Sequence, residues 1–209
     1  MIAGGRARRI LSSSAGREVE PDDAALVAAV RAGDRSAFSR LFRRHADAVR
    51  TRLTRLIGPV AERDDLVQNV FIALHRSLPG YRSDANVSTY LHRIAVNAAY
   101  DHLRARRRRR DAASPPDMSD VDDSVDRESP SIEDQVAARA DLARMLGLLD
   151  QLSPKKRIAF VLVAVEGCSL AEAAALIGAA EDTVKQRTLH ARREILARLA
   201  AAPAAGEAS

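Results

Sequence analysis

The sequence predicts an all-α protein: two small helical domains joined by a flexible acidic linker. Three observations carry this. Apolar residues recur at helical spacing in one segment after another, and Gly, Pro and cap residues punctuate the breaks. The composition favours helix, with 40 Ala and 30 Arg among 209 residues against seven aromatic residues and no Trp. A β-sandwich or barrel leans on the β-branched and aromatic residues that are scarce here. Charge is also distributed in blocks. The net +5 is what remains of +9 over residues 22–110, −8 over 111–134 and +3 over 135–199, with +2 on 1–21 and −1 on 200–209. No apolar run approaches the ~20 residues of a membrane span. The single cysteine, Cys168, excludes an internal disulfide and an all-cysteine metal cage.

Residues 1–21 show no periodicity and are expected to be a disordered tail. Arg6, Arg8 and Arg9 lack the apolar core of a signal peptide. A helix starts at Asp22-Asp23 and runs to about Ala32, where Gly33 stops it; Asp34 then caps a second helix bearing Ala37, Phe38, Leu41, Phe42 and Val49 on one stripe. Gly58-Pro59 ends that helix. A third runs from about Glu62 to Ser77, before the Pro79-Gly80 break and a loop over Tyr81–Ser88. The fourth runs from about Thr89 into an arginine tract. Residues 111–130 read as a disordered linker, acidic and broken by Pro115, Pro116 and Pro130. Ser131 caps a helix over about 132–151. Ser153-Pro154 opens another, apolar nearly all round after Arg157 and ending near Gly167, which points to a buried central helix. Ser169-Leu-Ala-Glu172 is a capping box for a short helix to Ile177. After Gly178, a last helix runs from about Glu181 to Leu199, followed by a disordered tail over 200–209.

Two segments carry chemistry. Residues 170–192 read as a helix-turn-helix. Val184, Thr188, Ala191 and Ile195 face back toward the first helix, while Lys185, Gln186, Arg187, Leu189, His190 and Arg193 face out. A DNA-reading helix needs this division, with Gln able to pair with adenine and Arg with guanine. A charged amphipathic helix in a three-helix bundle shows the same pattern. The second segment is 61–110: an acid-flanked helix (Asp64-Asp65-Leu66-Val67-Gln68-Asn69), a polar loop, then a helix ending in Arg104-Ala-Arg106-Arg107-Arg108-Arg109-Arg110. All three tyrosines, Tyr81, Tyr90 and Tyr100, lie here. Aromatic faces among cations are what single-stranded nucleic acid needs, stacking being worth ~1–3 kcal/mol per base. Tyr90, between Val87 and Ile94, serves equally well as a core plug.

The stretch Tyr90-Leu-His-Arg-Ile-Ala-Val-Asn97, with Asp101-His-Leu-Arg104 and the tract after it, resembles region two of bacterial sigma factors. Asp65-Leu-Val-Gln68 resembles the polymerase-binding part of that region, and Leu26-Val27, Gly33-Asp34 and Ala37-Phe38 resemble its opening. Leu152-Ser-Pro, Arg157, Glu166-Gly-Cys-Ser169, Glu172, Leu176-Ile-Gly178, Thr183-Val-Lys, Ala191-Arg192 and Leu196 are similar to region four. Two such regions with a short linker resemble the extracytoplasmic-function (ECF) group, over about residues 22–199.

The resemblance implies a region two over 22–110 and a region four over 131–199. It implies a partner, core RNA polymerase, docked on Asp65, Leu66, Gln68 and Asn69. It implies promoter DNA as the second partner. The minus-ten element and its melted non-template strand would meet Tyr81, Arg82, Asn86, Ser88, Tyr90, Arg93, Asn97 and Arg104, with a flipped-out base held by the loop 81–88 and Asn97 nearby. The minus-thirty-five duplex would meet Thr183, Lys185, Gln186, Arg187, His190 and Arg193. The acidic linker would lie along the RNA path. An anti-sigma factor, often membrane-bound, is a further implied partner, and the expected location is the bacterial cytoplasm.

The chain departs from the family pattern at Tyr90 and His75, where Trp is usual or frequent, at Asn69 in place of an acid, at Ala180 in place of a cap, and at His190 in place of a basic residue. The titratable His190 gives an expectation of pH-dependent DNA affinity. No catalytic residue, metal site or cofactor is expected. Asp64 and Asp65 lie about 100° apart on a helix and His75 about three turns away, which is no metal-ligand geometry. Cys168 is expected to be a small turn residue rather than a redox sensor. Two other functions compete. A helix-turn-helix regulator acting without polymerase leaves residues 61–110 unexplained, and a carboxylate-dependent nuclease has no supporting spacing.

Overall fold

A computed structural model of the chain describes residues 21–81, 86–112 and 132–201. The expected tails, Arg82, most of the acidic linker and the Ser131 cap lie outside the described residues. Within them every element is helical.

Four helices form the first bundle: α1 (Asp23–Arg31), α2 (Arg35–Ile57), α3 (Arg63–Ser77) and α4 (Val87–Ala112). Short-range chemistry sets their ends. The Asp22 carboxylate accepts from the Ala25 N–H at 2.7 Å, and that of Asp34 from Ser36 and Ala37 at 2.8 and 3.3 Å. Those hydrogen bonds, from Ser36 first, hold the Asp34 carboxyl below its ordinary range. Gly58 closes α2 at φ 88°, its N–H bonded to the Thr54 carbonyl at 2.9 Å. A side chain there would be strained, and its Cβ would lie 3.4 Å from Leu146 Cδ2. A 3-10 turn, Leu78–Gly80, follows α3 and is tied back to α1 by Arg31, which donates to the Leu78 carbonyl at 2.8 Å and to that of Tyr81.

Helix α4 opens at Val87, two residues before the expected Thr89. Asn86 is the reason: its side-chain oxygen accepts from the Ser88 N–H at 2.9 Å, and its carbonyl takes the Tyr90 N–H at 3.0 Å. That start gives a buried face of Val87, Leu91, Ala95, Val96, Ala99 and Leu103, which packs on α2 and α3.

The second bundle holds α5 (Ile132–Asp150), α6 (Pro154–Phe160), α7 (Leu170–Ile177) and α8 (Glu181–Ala201). The expected helix from Pro154 to Gly167 is not regular. It widens into a π-helical turn over Val161–Val165, where the Glu166 N–H reaches the Val161 carbonyl at 2.9 Å. Nor is it buried all round, since Val165 is exposed while Arg157 is buried at 1% exposure. The capping box of α7 is formed: Ser169 Oγ accepts from the Glu172 N–H at 3.2 Å and Glu172 accepts from the Ser169 N–H at 2.8 Å. Gly178, at φ 70°, makes the turn into α8.

The two bundles are not separated by linker alone. Helices α6 and α7 pack on α4, and the π-turn packs on α2, so buried side chains of both bundles form one continuous apolar cluster.

Candidate nucleic-acid interface

Four surfaces are built by these elements. On α3, Asp65, Gln68 and Asn69 are exposed and Leu66 is half-buried, while Val67, Val70, Phe71 and Leu74 point inward. The spacings i, i+3 and i+4 put the three polar residues on one face. Ile72 continues that face and is 46% exposed, an apolar residue the sequence reading left out. Its signal was available, since it stands four residues after Gln68. Of the acidic residues beside this face, Asp64 is engaged by Arg50 at 3.4 Å and Arg63 at 3.7 Å.

On α4, Tyr90, Arg93, Asn97, Tyr100 and Arg104 fall within about 80° of arc at ~100° per residue, over roughly 20 Å of helix. This is one stripe of two aromatic rings, an amide and two cations, opposite the buried face. The Arg93 guanidinium sits over the Tyr90 ring, 5.7 Å from its centroid. Tyr90 is only partly buried and touches Tyr81 with ring centroids 5.1 Å apart. Both roles weighed for Tyr90 are therefore physically open to it, one ring face packing and the other edge wet.

Of the expected loop site, the described residues are Tyr81, Asn86, Val87 and Ser88. Tyr81 is 9% exposed and belongs to the core, so its ring is not an open stacking platform. Asn86 and Ser88 are joined by the cap hydrogen bond of α4. Beside them is an open hollow of about 500 Å³ lined by Asp22, Asp23, Arg44, Tyr81, Asn86 and Val87. Asn97 does not face this hollow. It lies about 16 Å farther along α4 by helical rise and opens on a second cavity of about 320 Å³, which it shares with Tyr100, Lys155, Ile177 and Arg187. Among the described residues, Asn97 and the flanking Tyr81 and Asn86 thus line different hollows.

On α8, Val184, Ala191 and Ile195 are buried, and Thr188 donates to the Val184 carbonyl at 2.9 Å. This inner face meets α6 as well as the expected α7. Lys185, Gln186, His190 and Arg193 are exposed and Thr183 is half-buried. Gln186, His190 and Arg193 share about 60° of arc, with Lys185 on the flank. Arg187, expected on the outer face, instead turns partly into the cavity beside α4. Lys156 of α6 pairs with Glu194 and holds α8 against α6, and Arg198 pairs with the same carboxylate within α8.

Where the bundles meet, ion pairs gather. Asp150 accepts from Arg106 at 3.3 and 2.9 Å and pairs with Arg157. The Asp150 carbonyl accepts from Arg110 at 2.9 Å. Arg157 Nε donates to the Leu56 carbonyl at 2.6 Å, satisfying a carbonyl in the last turn of α2. Burial draws the Arg157 guanidinium below its ordinary value and the Asp150 charge opposes that shift. Arg52 and Glu166 pair at 2.7 Å with side chains 15% and 3% exposed, and burial pushes the Glu166 carboxyl up. Sequence reading assigned no role to Arg157, Glu166 or Asp150, because their partners in the first bundle, Leu56, Arg52 and Arg106, lie far away along the chain. Cys168 is half-buried with its thiol pushed up by burial. Among the described residues no group of three or more His, Cys, Asp or Glu could hold a metal ion, and no helix is long and apolar enough to cross a membrane.

Comparison with known proteins places the chain in a family. Residues 41–109 match the Sigma-70 region 2 model and residues 142–195 the Sigma-70, region 4 model. The chain is 41% identical over 181 residues to the ECF RNA polymerase sigma factor SigM of Mycobacterium tuberculosis, covering 86% of this chain and 85% of the relative. It is 34% identical to the RNA polymerase sigma factor CnrH of Cupriavidus metallidurans, covering 87% and 97%. The structure of CnrH in complex with the cytosolic domain of CnrY is similar at TM-score 0.58 and 28% identity, over 86% of this chain and 97% of that one. With both regions matched and relatives aligned along most of their length, the chain belongs to the ECF group of RNA polymerase sigma factors.

Proposed function

We propose that this chain is a transcription initiation factor rather than an enzyme: it binds core RNA polymerase and directs it to promoters, region two melting the minus-ten element and region four holding the minus-thirty-five element. The observation that carries the residue-level reading is the separation of three chemically distinct faces on one framework. The α3 face of Asp65, Gln68, Asn69 and Ile72 mixes polar and apolar groups, as a protein-docking surface does. The α4 stripe supplies aromatic rings among cations, the groups on which a single strand stacks and by which its phosphates are neutralised. The outer face of α8 supplies Gln186, His190 and Arg193 for a major groove. The domains follow as region two over 22–110, a linker over 111–130 and region four over 131–199.

Its place of action is the bacterial cytoplasm, where polymerase and promoter are. An anti-sigma protein is a further partner, a reading supported by CnrH having been solved with the cytosolic domain of CnrY. Transcription reconstituted with purified core polymerase tests the reading. Gln186→Ala is expected to weaken upstream-element binding, and Asn97→Ala to leave promoters bound but poorly opened. Normal initiation by both variants would refute these site assignments.

A further inference from the structure

We propose that Arg31, in the last turn of α1, is a positioning residue for single-strand binding: it sets the Tyr81–Tyr90 ring pair at the end of the α4 stripe. That the stripe takes melted promoter DNA rests on the function proposed above; that Arg31 sets the rings does not.

Arg31 is an exposed residue, yet its guanidinium is committed to backbone. Its Nε donates to the Leu78 carbonyl at 2.8 Å and its Nη2 to the Tyr81 carbonyl, and it makes no ion pair among the described residues. Leu78 is the first residue of the 3-10 turn and Tyr81 its C-cap; the Leu78 carbonyl also takes the Tyr81 N–H at 3.2 Å. A planar guanidinium fixes the spacing of its donors, so it fixes these two carbonyls relative to each other. The helix behind the clamp is itself anchored. Leu26 and Val27 are buried where α1 packs on α2, and Arg44 and His45 of α2 each hold Asp23 at 2.9 Å.

What the clamp sets is Tyr81. The chain leaves the turn extended there, at φ −67° and ψ 123°, and the Tyr81 ring meets the Tyr90 ring at an interplanar angle of 49°. The Tyr90 ring lies in turn beneath the Arg93 guanidinium. A line of contacts therefore runs from α1 through the turn and Tyr81 to the first aromatic ring of the stripe. A stacking ring acts through its tilt, and the groups packed beneath it set that tilt. Arg31 acts through Tyr81, which is why it belongs to no exposed face of the interface described above.

The test reads the rings first and the DNA second. The chain has three tyrosines and no Trp, so 3-fluorotyrosine gives three fluorine resonances, assigned by replacing each tyrosine with Phe. In the full chain Arg31→Ala is expected to shift the Tyr81 and Tyr90 resonances and to leave that of Tyr100, about 15 Å farther along α4. Arg31→Lys keeps the charge and loses the fork, and is expected to behave as Arg31→Ala does. In holoenzyme assembled with core polymerase, Arg31→Ala is expected to weaken binding of a promoter fork with a single-stranded minus-ten element by about fivefold, the low end of what one stacked base contributes. The salt slope of that binding is expected not to change. In a Tyr90→Leu background the same substitution is expected to cost nothing more. Far-UV circular dichroism checks that helix is retained, and Arg31→Lys serves as the variant should Arg31→Ala lose helix. Unmoved Tyr81 and Tyr90 resonances, parent behaviour in Arg31→Lys, or an equal further loss on top of Tyr90→Leu would overturn the proposal. A salt slope reduced by about 1 would overturn it too, making Arg31 a phosphate contact. If both resonances move as expected but the parent holoenzyme binds no fork, the function reading fails and the positioning of the rings stands.

Discussion

Replacing Arg157 by Met probes the buried junction between the two regions most sharply. The methionine keeps most of the stem volume, so no large cavity opens, and what is lost is the guanidinium. Two interactions go with it. The Leu56 carbonyl loses the donor at 2.6 Å, and an acceptor left buried and unpaired costs about 1–3 kcal/mol. The Asp150 carboxylate loses one of its two cations. Removing one partner of a fully buried pair costs about 3–5 kcal/mol. Asp150 is 23% exposed and keeps Arg106 at 2.9 Å, which puts its share below that range. We expect a total loss of about 3 kcal/mol. For a chain of this size each kcal/mol moves Tm by about 2–4 °C, so Tm should fall by roughly 6–12 °C. Thermal unfolding of the full chain followed at 222 nm reads this directly. A fall under about 2 °C would mean that Arg157 is dispensable for the packing of α6, and the reasoning from its burial would fail.

Other outcomes follow from the same geometry. Ser169→Ala removes the hydroxyl that accepts from Glu172 and should cost about 1 kcal/mol, read as a lower urea midpoint with unchanged slope; no shift would show that α7 does not depend on its cap. Acid should destabilise the chain. Burial, with Arg52 and His45 adding to it, lowers His92 to about 4, and burial also lowers His102. Both stay neutral in the folded chain at a pH where the unfolded chain takes up protons, so stability should fall as pH drops from about 6.5 toward 4. Glu166, pushed up by burial, offsets part of this at the acid end. Urea midpoints that are flat from pH 7 to 5 would contradict this, and His92→Gln should flatten them. Arg104→Ala should reduce the salt slope of holoenzyme–promoter binding by about 1 without changing promoter choice; an unchanged slope would remove Arg104 from the phosphate contacts.

What sequence alone revealed divides by range. The caps at Asp34 and Ser169 and the stop at Gly178 are chemistry within four residues, and each was legible, while Asp22, read as the first helical residue, is the cap of α1. The start of α4 was placed two residues late, at Thr89, because residues 81–88 read as one polar loop, whereas Asn86 supplies the capping oxygen. The π-turn over Val161–Val165 has no short signature distinguishing it from α-helix. Arg157 read as the polar residue before a buried helix, yet its acceptor, Leu56, lies 101 residues earlier. Arg187 and Asn97 were each placed on a correct helix, but periodicity assigns a face and not a neighbour. Their common cavity follows from how two bundles dock, which no local pattern encodes.

The central claim is promoter-directed initiation, and the most direct measurement sequences the 5′ ends of RNA made in vitro from sheared genomic DNA by core polymerase, with and without this chain. The account predicts new 5′ ends that appear only with the chain and share two upstream motifs at fixed spacing, centred near minus ten and minus thirty-five. Identical 5′ ends in both reactions, or chain-dependent ends without a shared motif, would contradict it.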